Sequence, residues 1–130
     1  MLPTDPAAID DDIEGFVIDA LERLPEPFAA QLGSVAIVIE DEPTEAQLAS
    51  VGARGLYGLY QGIPRTRLSA DAAPAPSKIT LFRGPLVRAS RTRESLAEHV
   101  ADTVYHEIAH HFGISDARLH ELRSGRDGRH

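Results

Sequence analysis

The chain lacks cysteine altogether. This absence excludes disulfide bonds, metal sites built from thiolates and catalysis by a cysteine nucleophile. Any metal ion would therefore have to be held by histidine, aspartate or glutamate. Because the absence of cysteine suits a reducing compartment, we expect a cytoplasmic protein.

Positive charge is also scarce. Lys78 is the only lysine, and 13 basic residues stand against 20 acidic ones, for a formal net charge of −7. Nucleic-acid binding is driven by clustered lysine and arginine on a basic surface. We therefore expect no nucleic-acid partner.

Long apolar runs are missing as well. No segment approaches the roughly 18–20 apolar residues that a membrane span needs. The first residues lack the basic and apolar regions of a signal peptide. A soluble protein with no membrane partner is the expectation.

The length of 130 residues fits one domain with a core of its own. We predict a single domain over 1–130, with loose termini at 1–8 and 124–130. The sequence contains no internal repeat and does not indicate an oligomeric state.

Apolar spacing predicts a helix near the N-terminus. Apolar residues recur at spacings of three and four from Ile13 to Leu24, and Pro25 stops the pattern. The acidic run at 10–12 is expected at the start of this helix, where negative charge favours the helix dipole. The alternative interpretation of the run is a cation site.

A second, longer helix is predicted over 92–112, with Ser90 or Thr92 as its N-cap. One face of this helix is apolar and is expected to contact the core, whereas several histidines lie on another face. The predicted core positions are Leu96, Val100, Val104, Ile108 and Phe112.

Three short segments predict a small mixed sheet, at 34–40, 56–60 and 78–83. The middle segment is rich in glycine, which lets another part of the chain come close. A short helical turn is expected over 44–51, and 65–77 is expected to be a loop.

The strongest motif of the chain lies near the end of the long helix. His106 and His110 are four residues apart, so their imidazoles lie one turn apart on one helix face. Glu107 is placed to take a proton from a water bound to a metal that the two histidines hold. Residues 106–110 thus match the H-E-x-x-H pattern of zinc-dependent peptidases. Gly113 can end the helix and turn the chain. Asp116 then follows His110 by six residues and can return as an oxygen ligand.

The competing interpretation is an amphipathic helix that happens to carry histidines. The added glycine and aspartate favour the metal site, because they place a third ligand that the two histidines cannot provide. His99 is expected to be a hydrogen-bonded helix residue rather than part of the cleft rim. His111 is expected in the surroundings of the site or on the surface, and His120 in solvent.

With the motif in place, most of the chain resembles the zincin-like metalloproteases, and more closely a small bacterial family of minimal zincin-like domains. The resemblance rests on 16–25, 35–42, 58–64, 78–83 and above all 106–116. It implies an α+β fold, with a small mixed sheet, an N-terminal helix and a long active-site helix packed against the sheet. By the motif match, His106, His110 and Asp116 would hold one Zn²⁺ per chain, and Glu107 would be the general base.

Two departures from the long-form metzincins stand out. Those proteins carry histidine where this chain has Asp116, and a methionine turn beneath the metal. Here Met1 is the only methionine, and fourteen residues follow Asp116. We therefore expect no C-terminal subdomain and no deep cleft.

The resemblance implies a zinc peptidase in which a water of lowered pKa attacks a peptide carbonyl while Glu107 accepts its proton. The partner would be a peptide or an unfolded polypeptide. Tyr57 and Tyr60 are expected to be packing residues rather than donors to the transition state. Two other functions stay open: a zinc-binding module with a structural or inactive site, and a metal-dependent endoribonuclease.

Overall fold

The computed structural model describes residues 2–24, 32–51, 56–62 and 75–111, with the backbone alone for 32–34, 51, 62, 75–76 and 110–111. The elements follow in the order α1 (Pro6–Glu22), β1 (Leu32–Glu40), α2 (Glu45–Val51), β2 (Gly58–Gly62), β3 (Ala75–Phe82), α3 (Arg83–Arg88) and α4 (Arg93–His111). This α+β arrangement confirms the predicted fold class. Within the described ranges, no helix is both long and apolar enough to cross a lipid bilayer.

The sheet has three strands in the order β1-β3-β2. β1 pairs with β3 in parallel and β2 pairs with β3 antiparallel, so Ile79 lies between Ile37 and Tyr60. The predicted mixed sheet is confirmed, and β2 is an edge strand of the described sheet.

The third strand begins earlier than predicted. β3 starts at Ala75, within a segment that the sequence indicated as loop. Its pairing with β1 is irregular between Leu32 and Val35, opposite Pro76. Proline has no N–H to donate to the sheet, so a strand interrupted in this way looks like loop from sequence alone.

The core lies between the sheet and the helices α1 and α4, which pack against each other. Leu96, Val100, Val104 and Ile108 of α4 are all buried, as the apolar stripe predicted. The fifth predicted core position, Phe112, lies outside the described residues. The opposite side of the core is formed by Ile9, Ile13, Val17 and Ala20 of α1, with Ile79 and Leu81 of β3.

Helix α1 begins before the acidic run. Asp5 is its N-cap and accepts a hydrogen bond from the backbone N–H of Ala7 at 3.2 Å, while Pro6 occupies the first helical turn. Proline suits that position, because its missing N–H has no partner there in any helix. The expectation that the acids at 10–12 start the helix is therefore wrong, since they lie in its second turn.

Two of these acids form ion pairs instead. Asp10 binds the guanidinium of Arg83 through both carboxylate oxygens, at 2.7 and 2.9 Å. Asp12 lies 3.3 Å from Arg93. Arg83 also binds Asp41 at 2.9 Å, so it joins α1 to the end of β1. The acidic run thus connects elements of the fold.

Helix α3 was not predicted. The sequence predicted a strand as far as 83, but the chain turns at Arg83 directly into a short helix. Proline is tolerated in a first helical turn. The N–H of Gly84 donates to the carbonyl of Asp41 at 2.8 Å, and the carboxylate of Glu42 lies against this glycine.

Helix α4 is capped at Thr92. The backbone N–H of Ser95 donates to Thr92 Oγ1 at 3.0 Å, and the N–H of Thr92 donates to Ser95 Oγ at 3.2 Å. This reciprocal pair satisfies N–H groups that the helix leaves open. The alternative cap, Ser90, has another role: its hydroxyl donates to the carbonyl of Leu86 at 2.7 Å.

Candidate metal centre

The two histidines of the motif lie on the same uninterrupted helix, α4, as predicted. Their backbone positions, one turn apart, direct both Cα–Cβ bonds to one face. His106 is half-buried. The side chain of His110 and the whole of Asp116 lie outside the described residues, so the complete ligand set stays a prediction.

Glu107 reaches the edge of the sheet. Its Oε1 accepts a hydrogen bond from the backbone N–H of Tyr60 at 3.2 Å. The two residues are 47 positions apart in the sequence. The contact could not be predicted from the periodicity of the helix or of the strand. The predicted general base therefore lies beside strand β2, at the margin of the core.

The direction of the backbone groups in β2 follows from two hydrogen bonds. The carbonyl of Tyr57, just before β2, accepts a hydrogen bond of 2.9 Å from the N–H of Phe82 in the neighbouring strand β3. Antiparallel strands alternate between residues that bond the partner strand and residues that do not. Together with the bond from Tyr60 to Glu107, this places the N–H and C=O groups of Gly58, Tyr60 and Gly62 on the side away from β3.

Strand β2 approaches α4 closely at Gly58. A Cβ at this position would lie 2.6 Å from Cγ2 of Thr103, well inside van der Waals contact. Gly58 and Tyr60 are two strand residues apart, about 6.6 Å. Thr103 and Glu107 are one helical turn apart, about 6 Å. The strand therefore follows the helix, and the absent side chain at Gly58 helps to bring Tyr60 within reach of Glu107.

His99 is a hydrogen-bonded helix residue, as expected. Its Nδ1 lies 2.9 Å from Ser90 Oγ, and its ring stacks on Tyr57 with centroids 6.3 Å apart and planes at 20°. Because the hydroxyl proton of Ser90 is donated to Leu86, the bond must run from the N–H of His99 to the serine oxygen. This serine is consequently not activated as a nucleophile.

The two tyrosines near the motif serve in packing. Tyr60 is half-buried against the core cluster, and Tyr57 stacks on His99 with 46% of its surface exposed. Tyr105 is buried on α4, with 8% exposed. Tyr60 packs against the core as expected, and the expectation that neither tyrosine donates to the transition state stays a prediction.

The donor chemistry fits Zn²⁺. Two imidazoles and a carboxylate are among the ligand sets that catalytic zinc uses, with a position left for water. No group of three or more His, Asp or Glu side chains that could hold a metal occurs among the residues that the structure describes. Of the three predicted ligands, only the side chain of His106 belongs to that part of the chain.

Among the residues that the structure describes, the shifted pKa values lie away from this centre. A hydrogen bond from Arg88 is the main cause that holds the pKa of Glu42 below its ordinary value. The same pair raises the pKa of Arg88, and the hydrogen bond to Asp10 raises the pKa of Arg83. These shifts belong to surface ion pairs.

The family model described as zincin-like metallopeptidase matches residues 32–126, most of the chain. The chain belongs to this family. A conserved hypothetical protein from Thermus thermophilus has a similar structure, with a TM-score of 0.52 and 22% sequence identity over 80% of this chain and 94% of that one. At this identity the similarity supports the fold alone. No curated protein matches the sequence.

Sequence reasoning missed the contacts that surround the motif. The bond from Tyr60 to Glu107 and the stack of Tyr57 on His99 join segments that are far apart in the chain. The one signal that pointed to them was the glycine-rich segment at 52–64. It indicated a close approach but not its partner.

Proposed function

We propose that the protein is a zinc-dependent metallopeptidase that hydrolyses peptides or unfolded polypeptides. The observation that carries this proposal is the position of Glu107. Its carboxylate lies at the edge of β2, on the helix that carries His106 and His110. Membership of the zincin-like metallopeptidase family supports the coarser assignment to zinc-dependent hydrolases.

The residues that would hold the metal are His106, His110 and Asp116. When bound, Zn²⁺ would act as a Lewis acid towards a carbonyl oxygen and lower the pKa of a water to about 7. With one carboxylate among the ligands, the zinc site carries a net charge of +1. The metal is then a slightly weaker Lewis acid than one held by three neutral histidines.

Glu107 would move the proton. It accepts a proton from a water as the water oxygen forms a bond to the peptide carbonyl carbon. It then donates that proton to the amine nitrogen as the C–N bond breaks. The hydrogen bond from the N–H of Tyr60 restrains the carboxylate, so that the base is held at the edge of the sheet.

The edge of β2 would hold the substrate. Extended peptides bind to exposed sheet edges as added strands, through backbone hydrogen bonds. Gly58 and Gly62 direct their backbone groups away from β3 on either side of Tyr60. A peptide aligned antiparallel to β2 would pass beside Glu107, and only an extended chain can bind in this way. This favours peptides and unfolded polypeptides over folded proteins.

The decisive experiment compares Glu107→Gln with Glu98→Gln. Glu98 is an exposed acid on the same helix and provides a matched control. Both variants and the parent are purified, analysed for zinc, and incubated with a broad peptide library. Removing the general base should lower the cleavage rate at least about 100-fold. The zinc content should stay the same in all three proteins, and the control should cleave like the parent.

Each alternative function has its own outcome in this experiment. Zinc binding without cleavage by the parent would indicate a structural or inactive zinc module. RNA cleavage that survives Glu107→Gln would indicate a nuclease. Cleavage of peptides that is equal in the parent and in Glu107→Gln would reject the proposed role of this residue.

A further inference from the structure

A groove of about 530 Å³ lies where β2 begins, beside α2 and α3. Five of its eight lining residues carry apolar side chains, beside Glu42, Tyr57 and Arg88. The apolar residues are Pro43, Leu48, Leu56, Pro85 and Ala89. Its volume is in the range that binds small ligands or a large side chain.

The charged residues of the groove neutralise each other. Arg88 donates to both carboxylate oxygens of Glu42, at 2.7 and 3.0 Å. This two-bond geometry uses the carboxylate and one edge of the planar guanidinium. The groove therefore presents a neutral surface of five apolar residues, one aromatic ring and one ion pair, which suits an uncharged occupant better than an ionic one.

One wall of the groove is an aromatic ring held in place by other residues. Tyr57 lines the groove and is 46% exposed. Its ring stacks on His99, and His99 is bonded to the buried Ser90. An aromatic residue that is this exposed and yet oriented by its neighbours offers a firm contact surface for another apolar group.

The groove continues the line of the proposed peptide path. Tyr57 directly precedes β2, and Tyr60, which marks the position of Glu107, lies three residues further. Three strand residues correspond to about 10 Å. A peptide antiparallel to β2 runs from Gly62 towards Gly58, so its carboxyl-side residues come to the groove.

We propose that this groove is a specificity site for an apolar or aromatic side chain of the peptide. That side chain belongs to a residue about three positions to the carboxyl side of the residue opposite Tyr60. The inference rests on the proposed function for the direction and register of the peptide. The neutral lining, the fixed ring of Tyr57 and the continuity with β2 support this occupant.

The test measures peptide binding to the Glu107→Gln protein, in which the peptide stays intact. Two fluorescent peptides are compared that differ only in phenylalanine or glycine at the groove position. The protein should bind the phenylalanine peptide at least about tenfold more tightly, because the ring is buried in the groove. Equal affinities for the two peptides would overturn the proposal.

Two further variants locate this preference. Ala89→Trp in the same background fills the groove and should reduce the preference to less than about twofold. Ala36→Trp makes the same change at an exposed alanine on β1, the opposite edge strand, and should leave the preference intact. A phenylalanine preference that persists in Ala89→Trp would reject the groove as its source.

A third variant guards against misfolding of Ala89→Trp. Leu48→Asp places a charge in the lining, and it too should reduce the preference to less than about twofold. Persistence of the phenylalanine preference in a folded Leu48→Asp protein would overturn the proposal.

The outcomes also distinguish this proposal from the proposed function. A phenylalanine preference in binding without any cleavage by the parent would leave the groove assigned and reject the peptidase. Cleavage by the parent with an unchanged preference in the groove variants would reject the groove alone.

Discussion

The two sides of this fold are joined by different interactions. On the side of α1 and α3, arginines bridge acids from separate elements, and Arg83 alone joins Asp10 to Asp41. On the side of β2 and α4, a carboxylate binds a backbone N–H, and a glycine allows close packing on Thr103.

The carboxylates on the two sides therefore differ in their role, structural on one side and proposed to be catalytic on the other. The acids bound to Arg83 join separate elements and serve the fold. The predicted general base receives a backbone hydrogen bond, which orients its carboxylate at the sheet edge. Changes on the β2 side should therefore affect chemistry and metal binding, whereas changes on the arginine side should affect stability.

The largest effect is expected at the predicted ligands. His106→Ala should reduce the metal content from about one ion per chain to near zero, because one of three protein donors is lost. Asp116→Asn should weaken zinc affinity at least about tenfold, while Asp116→His should preserve binding. Metal analysis and competition with a chelator measure both effects.

His99→Gln is the matched control for these ligand changes, since His99 lies on the same helix and is bonded to Ser90. Its metal content should equal that of the parent. A parent-like zinc affinity in His106→Ala or Asp116→Asn would contradict the assigned ligands.

Gly58→Ala should disturb both chemistry and stability. The added Cβ would lie 2.6 Å from Thr103 Cγ2 and 3.0 Å from the carbonyl oxygen of Thr80. Overpacking of this kind costs about 1–3 kcal/mol in the free energy of unfolding. Displacement of β2 should also weaken the bond from Tyr60 to Glu107 and lower kcat.

A double-mutant cycle with Thr103→Ser sharpens this prediction, because serine lacks the methyl group that collides. The second change should recover part of the stability in the Gly58→Ala background and little in the parent. Strictly additive effects on the unfolding free energy would show that Thr103 is not the obstacle.

Arg83→Met should lower stability by about 1 kcal/mol without changing zinc affinity. The substitution keeps much of the apolar stem but removes the charge that joins Asp10 and Asp41. Urea unfolding at low and high salt measures the loss, which should shrink as salt screens the pair. A fall in zinc affinity as large as that of Asp116→Asn would break the proposed separation between the two sides.

The smallest effect is a pH dependence at Glu42. Its pKa is lowered below the ordinary value of 4.5 by the hydrogen bond from Arg88. A carboxyl group whose pKa is lowered in the folded state stabilises the protein when the pH is above its ordinary pKa. This contribution is lost as the pH falls through the folded-state pKa. The stability difference between the parent and Glu42→Gln should therefore be present at pH 7 and diminish below pH 4.5. A difference that grows on acidification would have the wrong sign.

Local patterns were enough to predict most helices. The apolar spacing of α4 and the cap at Thr92 are encoded within a few residues of one another, and both predictions are confirmed. The start of α1 was misplaced because the acids at 10–12 are a more conspicuous signal than Asp5-Pro6, which forms the actual cap.

Elements that depend on distant partners were predicted less well. β3 begins at Ala75 because β1 supplies the pairing, not because the local sequence favours a strand. α3 follows β3 directly, at a point where the N–H of Gly84 donates to the carbonyl of Asp41, a residue from another connection. Local propensity contains neither kind of information.

The sequence by itself determined that His106 and His110 share one face of a helix, since residues four apart are neighbours on any α-helix regardless of what surrounds it. It likewise determined that a metal could be held only by histidine or carboxylate, because the chain has no cysteine. Only the tertiary structure decided that Glu107 meets Tyr60, that β2 is an edge of the described sheet, and that a groove lies beside Tyr57. These features arise where β2, α3 and α4 pack together, and their physical cause is the burial of a shared core rather than any local pattern.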